Sequence, residues 1–324
     1  LAQVELVQRI ARQVRDNVAQ VIVGKEHVVE LMLVALFCEG HVLLEDVPGI
    51  GKTTLAKSLA RSLGADFQRI QFTPDLLPSD ITGVSVYNRR EDAFEFRPGP
   101  ILAGVVLADE INRAGPRTQS ALLEAMEERQ VTVDGVTHPL PYPFFLMATQ
   151  NPVELEGTFP LPEAQMDRFL MLVALGYPNR EEERSILHRF RNANPLVDLK
   201  PQLDNETIRQ AVKICRDVHV SSAIEDYLLD FAAATRNDRA VELGLSPRGT
   251  LALFRTCQAL AAVNGRDYVI PDDVKRMATV VVGHRLILNA DARLRGQKSG
   301  EVLARILAAL PVPVEELRPV GGGR

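Results

Sequence analysis

Tryptophan is absent from this chain of 324 residues, and aromatic residues make up only 5% of it. Little is therefore available for the stacking platforms on which single-stranded nucleic acid is laid. Basic excess is missing too: 37 Lys and Arg against 42 Asp and Glu leave a formal charge of −5, where a nucleic-acid footprint is basic. A basic channel confined to one region is still compatible with that total. Cysteine is scarce. Cys38, Cys215 and Cys257 are an odd, scattered set in apolar helix-like stretches with no Cys-x-x-Cys, and they read as reduced core thiols. No apolar run approaches the ~20 residues of a membrane span. The first 21 residues alternate charges with Val4, Val7, Ile10, Val14 and Val18, which is an amphipathic helix and not a signal sequence. A cytoplasmic protein is expected.

What is present is an ordinary globular balance, 46% hydrophobic and 24% charged, at a length that suggests two domains. The chain is organised around Glu45-Asp46-Val47-Pro48-Gly49-Ile50-Gly51-Lys52-Thr53-Thr54, set between the apolar run Val42-Leu43-Leu44 and a segment with Leu55, Leu59 and Leu63 at helical spacing. A strand, a Gly-containing loop, Gly-Lys-Thr and a helix form the context of a phosphate-binding loop. Gly49 and Gly51 allow backbone N–H groups to surround phosphate oxygens, with the positive helix N-terminus behind them. Lys52 would reach the β- and γ-phosphates, and Thr53 would offer its hydroxyl to Mg²⁺. The usual pattern has glycine where this chain has Asp46. On the loop alone, a Gly-rich turn with a surface lysine fits equally well.

Strands are expected over 41–45, 67–72, 105–110 and 144–149, with a helix over 117–129. Hairpins are expected at 84–96 and at 131–138, the second around the two-residue turn Asp134-Gly135. Beyond Gly176-Tyr177-Pro178-Asn179 only amphipathic helices are read, over 180–191, 205–218, 223–236, 246–264 and 272–282. The expected organisation is thus an α/β unit over 1–175, a helical unit over 176–310 and a loose Pro- and Gly-rich tail over 311–324.

Val105-Val106-Leu107-Ala108 is a buried-strand pattern that ends in Asp109-Glu110. Acids at the end of a core strand are costly unless they hold a metal or do chemistry. Asp109 would hold Mg²⁺ and Glu110 would polarise the attacking water. Asn151 ends another apolar strand, where it would contact the γ-phosphate or stand in a plain Asn-Pro turn with Pro152. Arg168 lies between apolar residues in Met166-Asp167-Arg168-Phe169-Leu170. Arg248 lies at a helix N-terminus in Leu245-Ser246-Pro247-Arg248-Gly249, where a guanidinium is disfavoured without a nearby anion. Each arginine taken singly also fits a surface ion pair, for Arg168 with Asp167 or Glu163.

In order and spacing these pieces resemble the AAA+ ATPases, and more closely the MoxR family, over about residues 21–310. The stretches that carry the resemblance include Leu44-Glu45-Asp46-Val47-Pro48-Gly49, Ala108-Asp109-Glu110-Ile111-Asn112-Arg113-Ala114 and Ala164-Gln165-Met166-Asp167-Arg168-Phe169. Asp46 in place of glycine is itself similar to MoxR sequences. The resemblance implies a three-layer P-loop NTPase core with a parallel sheet, followed by an all-α lid. It implies a Walker A loop at 46–53, Walker B at Asp109-Glu110, sensor 1 at Asn151, an arginine finger at Arg168 and sensor 2 at Arg248, which would reach the nucleotide from the lid. It also implies ATP and Mg²⁺ as ligands, and a ring, expected to be a hexamer, with ATP between subunits. The two hairpins look like the helix-2 insert and the pre-sensor-1 hairpin that face the pore. A chaperone role beside von Willebrand A domain partners, including metal insertion, is implied too, with magnesium-chelatase motor subunits as near relatives. The alternative is a nucleic-acid motor of the helicase-related group sharing these hairpins, against which the acidic charge stands. A nucleotide-gated scaffold with little turnover is a third reading, opposed by the intact Glu110 and Arg168.

Overall fold

Four mostly apolar segments and a mixed one become the strands of one parallel sheet in the computed structural model, which describes residues 2–151, 157–191 and 194–313. They are β1 (Val42–Glu45), β2 (Phe67–Gln71), β3 (Val105–Asp109), β4 (Phe145–Gln150) and β5 (Met171–Val173), in the spatial order β2-β3-β4-β1-β5. Pro152 and residues 314–324 of the expected tail lie outside the described residues.

The period of two along each strand sorts its side chains onto two buried faces. Val42, Leu44, Val105, Leu107, Phe145 and Met147 face one apolar cluster, which also takes in Leu55 and Leu59. Leu43, Val106, Ala108, Leu146 and Ala148 face the other, with Phe72, Leu122 and Leu123. Helices on both faces make the three layers. Because all five strands are parallel, their C-terminal ends share one edge: Gln71 stands beside Asp109, and Glu45 beside Gln150. Ligands of such sheets bind at that edge.

The N-terminal helix, Ala2–Ala19, packs on Lys52–Ser62 and also on the C-terminal helices Asn205–Arg216 and Pro247–Val263. One apolar cluster therefore runs from the sheet into the lid, through Val7 and Val14 to Leu260 and Val281. Both expected hairpins form, Gly83–Asn88 with Ala93–Pro98 and Gln130–Val133 with Val136–Pro139. At the second turn Asp134 (φ 50°) and Gly135 (φ 79°) are both left-handed, as a type I′ connection requires.

After β5 come the helices Arg180–Arg189, Asn205–Arg216, Ser222–Asn237, Pro247–Val263 and Pro271–Val282. Two further helices, Ala290–Leu294 and Ser299–Ala309, were not expected from the sequence, nor was the short antiparallel ladder of Val241–Leu243 with Ile287–Leu288.

Candidate functional site

At the C-terminal edge of the sheet, Pro48, Gly49, Gly51, Lys52, Thr53 and Thr54 line one side of a cavity of about 350 Å³, and Asp109, Glu110, Thr149 and Asn151 the other. Gly49 (φ 85°) and Gly51 (φ 97°) are left-handed, and a Cβ on either would meet nothing within 4 Å. Glycine is needed here for backbone conformation rather than for space. Gly51 is the N-cap of Lys52–Ser62 and supplies no side-chain oxygen, so the first N–H groups of that helix stay available to an anion. Lys52 Nζ donates to Asp46 O at 2.8 Å. Burial holds its pKa below the ordinary lysine value, while Asp109, Asp46 and Glu110 oppose that shift.

Asp46 accounts for the departure from the usual pattern. Its carboxylate accepts from the backbone N–H groups of Leu175 and of Gly176 (3.2 Å), where β5 passes toward the lid. A glycine there would leave the loop untied from the segment that follows β5. Neither Asp46 nor Val47 lines the phosphate cavity.

The acidic strand end is a hydrogen-bonded network. Asp109 Oδ1 accepts from Thr149 Oγ1 at 2.6 Å, and Oδ2 accepts from Arg69 Nε (3.0 Å) and Nη2 (2.6 Å). Glu110 has a left-handed backbone (φ 59°, ψ 50°), which costs a non-glycine residue on the order of 1 kcal/mol. Its N–H is held by Thr149 Oγ1 at 2.8 Å, and its carboxylate by Gln71 Nε2 (2.8 Å) and Arg113 Nη1 (3.1 Å). Sequence reading missed Arg69, Gln71 and Thr149. Alternation along β2 puts Arg69 and Gln71 on one face, but only the strand order brings that face to Asp109-Glu110.

Beside the loop opens a more apolar cavity of about 480 Å³, with Ile50 and Thr54 on the loop side and Ile22, Tyr177, Leu187 and Phe190 opposite. It continues from the phosphate loop, and its dimensions and apolar walls suit a planar heteroaromatic base.

Arg168 and Arg248 lie elsewhere. Residues 168–170 precede β5, and Leu170 N donates to His41 O at the entrance of β1, so this segment sits at the N-terminal edge of the sheet. At ~3.3 Å per residue, the four residues of β1 separate the two edges by about 13 Å. Arg168 Nε meets Glu127 Oε2 at 3.3 Å, so its acid partner is Glu127 on the helix Pro116–Glu128. Arg248 pairs with the same Glu127 and stands 4.0 Å from Asp167 Oδ2. The two arginines share a cavity of about 320 Å³ with Arg129 and Arg255, and neither lines the phosphate cavity of its own chain. The structure thus brings together the loop, Asp109, Glu110 and Asn151, and places Arg168 and Arg248 as a separate pair.

The donor set fits Mg²⁺ carried by a nucleotide. Thr53 and Asp109 present hard oxygens to one cavity, and Mg²⁺ takes one or two protein oxygens with phosphates and water completing the shell. Among the described residues no group of three or more His, Cys, Asp or Glu forms a metal cage of its own.

A glycine loop before a helix, an acid pair ending the strand next but one in the sheet, and a helical lid define a P-loop ATPase of the AAA+ class. Comparisons with known proteins agree. Residues 41–171 match the ATPase family associated with various cellular activities (AAA), and residues 233–306 match the AAA lid domain. The chain is 50% identical to uncharacterized protein YeaC of Bacillus subtilis, over 93% of this chain and 94% of that one. It is 44% identical to chaperone MoxR1 of Mycobacterium tuberculosis, over 94% and 83%. A crystal structure of a candidate ATPase from Cytophaga hutchinsonii superposes with a TM-score of 0.91 at 38% identity, covering 97% of this chain and 98% of the other. The chain belongs to the MoxR family of AAA+ ATPases. No helix among the described residues is long and apolar enough to cross a membrane.

Proposed function

We propose that the chain hydrolyses ATP at sites shared between neighbouring copies in a ring, taken as a hexamer, and uses the cycle to remodel a protein client in the cytoplasm. The observation that carries this reading is the pairing of Arg168 with Arg248 at the sheet edge opposite their own phosphate loop. Two guanidiniums converging on one half-exposed carboxylate, Glu127, are held weakly, since such surface pairs contribute about 0–1 kcal/mol each. A triphosphate presented by a second copy would displace that carboxylate readily.

In such a site Lys52 and the loop amides hold the phosphates, and Thr53 and Asp109 supply the oxygens for Mg²⁺, which neutralises charge on the phosphates when bound. Glu110 polarises the attacking water and Asn151 orients it. Arg168 and Arg248 enter from the neighbour and stabilise the developing charge, a contribution worth about 10³–10⁵ in rate for an arginine finger. Residues 1–175 act as the nucleotide unit, 176–310 as the lid and 311–324 as a tail. A chaperone role is supported by the relative named chaperone MoxR1, and a von Willebrand A domain partner and metal insertion are proposed with it on the family resemblance alone.

The test mixes two inactive variants. Arg168→Ala keeps its phosphate loop, and Lys52→Ala keeps its arginines. Each should be inactive alone, and their mixture should hydrolyse ATP, because an intact loop then meets an intact finger. A mixture no more active than the sum of its parts overturns the shared site.

A further inference from the structure

Arg285 follows the lid helix Pro271–Val282 and is 8% exposed; Nη1 also meets Val281 O and His284 Nε2 (2.9 Å) nearby, yet four bonds of its guanidinium go to a segment 115–118 residues away. Nε donates to Asp167 Oδ1 at 2.7 Å. Nη2 donates to Asp167 O (3.0 Å) and Phe169 O (2.7 Å), and Nη1 to Leu170 O (3.1 Å). These acceptors bracket Arg168 on both sides, and three of them are main-chain carbonyls. The stem of Arg285 also lies close beside the start of the helix that carries Arg248, where a Cβ added at Gly249 would come within 3.1 Å of Arg285 Cδ.

Taking a guanidinium out of water costs several kcal/mol unless its planar fork is satisfied. A hydrophobic side chain would fill this space at less cost. What the fork adds is geometry, because it fixes the direction of the backbone at residues 167, 169 and 170 at once. We propose that Arg285 is a positioning residue that sets the 167–170 segment and the first turn of Pro247–Val263, so that Arg168 and Arg248 stand as a prearranged pair for a neighbour's phosphates. The proposal rests on the shared-site reading above. It assigns Arg285 to the arginine-presenting face alone, since no bond of this fork reaches the phosphate loop of its own chain.

Arg285→Lys keeps the charge and removes the fork. We expect unchanged ATP affinity and KM with kcat lowered about 10- to 100-fold, the scale of a 1 Å misplacement of a reacting group. The decisive readout is complementation. Arg285→Lys mixed with Lys52→Ala should regain activity, because the latter supplies correctly set arginines. Arg285→Lys mixed with Arg168→Ala should regain none, because both lack a competent arginine face. A purely structural role would impair the phosphate loop as well and would give no rise with Lys52→Ala. Wild-type kcat, or rescue by Arg168→Ala, also overturns the proposal. If Arg168→Ala with Lys52→Ala shows no rise, the shared site itself has failed, independently of Arg285. Should Arg285→Lys not fold, Asp167→Ala removes the Nε acceptor together with the carboxylate 4.0 Å from Arg248, leaves the three main-chain acceptors, and carries the same two mixtures. It must fall in the same complementation class with a smaller loss, or the proposal is wrong.

Discussion

Replacing Asp46 by alanine removes an acceptor that ties the phosphate loop to the segment following β5, without touching the phosphate cavity. The carboxylate receives two backbone N–H groups, from Leu175 and Gly176. A hydrogen bond to a charged group contributes about 1.5–3 kcal/mol, and the low end applies at this half-buried site, so the pair amounts to about 3 kcal/mol. For 324 residues the unfolding entropy is about 0.7 kcal/mol per kelvin, which converts the loss into a fall in Tm of about 4 °C. Asp46→Asn keeps one acceptor oxygen and should lose about half as much. Affinity for ATP should stay within about threefold, or ~0.7 kcal/mol, since Lys52 is held by the main-chain oxygen of residue 46 and not by its carboxylate. Thermal unfolding and titration calorimetry on the three proteins measure both quantities. A Tm lowered by less than ~1 °C, or a tenfold loss of ATP affinity at unchanged Tm, would refute the clamp and make the carboxylate a nucleotide contact.

Glu110→Gln keeps the size and hydrogen-bonding capacity of the side chain, so it should bind ATP as wild type does and lose turnover by about 10²- to 10⁴-fold, checked by single-turnover hydrolysis. Wild-type turnover would mean that another group positions the water. Leu187→Asp places a charge on the wall of the apolar cavity at a 71% exposed position, where folding is insensitive to it. It should weaken ATP and ADP alike by about tenfold, ~1.4 kcal/mol, and raise KM with kcat unchanged. Unaltered affinity for both nucleotides would remove the base from that cavity.

How much of this was legible in the sequence depends on chain distance. Gly49 to Thr54 and Asp109-Glu110 announce themselves because each group is consecutive in the chain and sits at the end of an apolar strand. The runs themselves give only strands and an α/β unit; the three-layer parallel core was legible through the family resemblance these stretches carry. Arg168 and Arg248 are recognisable as residues, but their placement is not, because it depends on the direction of β5 and on where the lid rests. Sequence reading sends Arg248 toward the nucleotide from the lid, whereas the structure pairs it with Arg168 and Glu127. Arg69 and Gln71 needed the strand order, and the base-sized cavity needed the N-terminal segment at Ile22 to meet Phe190. Arg285 needed a contact across more than a hundred residues. The ladder of Val241–Leu243 with Ile287–Leu288 is too short for alternation to register. The helix Ser299–Ala309, by contrast, carries a readable stripe in Val302, Leu303 and Ile306, which the sequence reading overlooked.

The claim that hydrolysis belongs to an assembly is tested most directly by turnover per subunit as a function of protein concentration, with the mass of the species determined in the same samples. An arginine pair at the sheet edge opposite the loop of its own chain requires that activity per subunit climb with the fraction assembled and fall toward zero as the sample becomes monomeric. Full turnover by a dilute, demonstrably monomeric sample would contradict it.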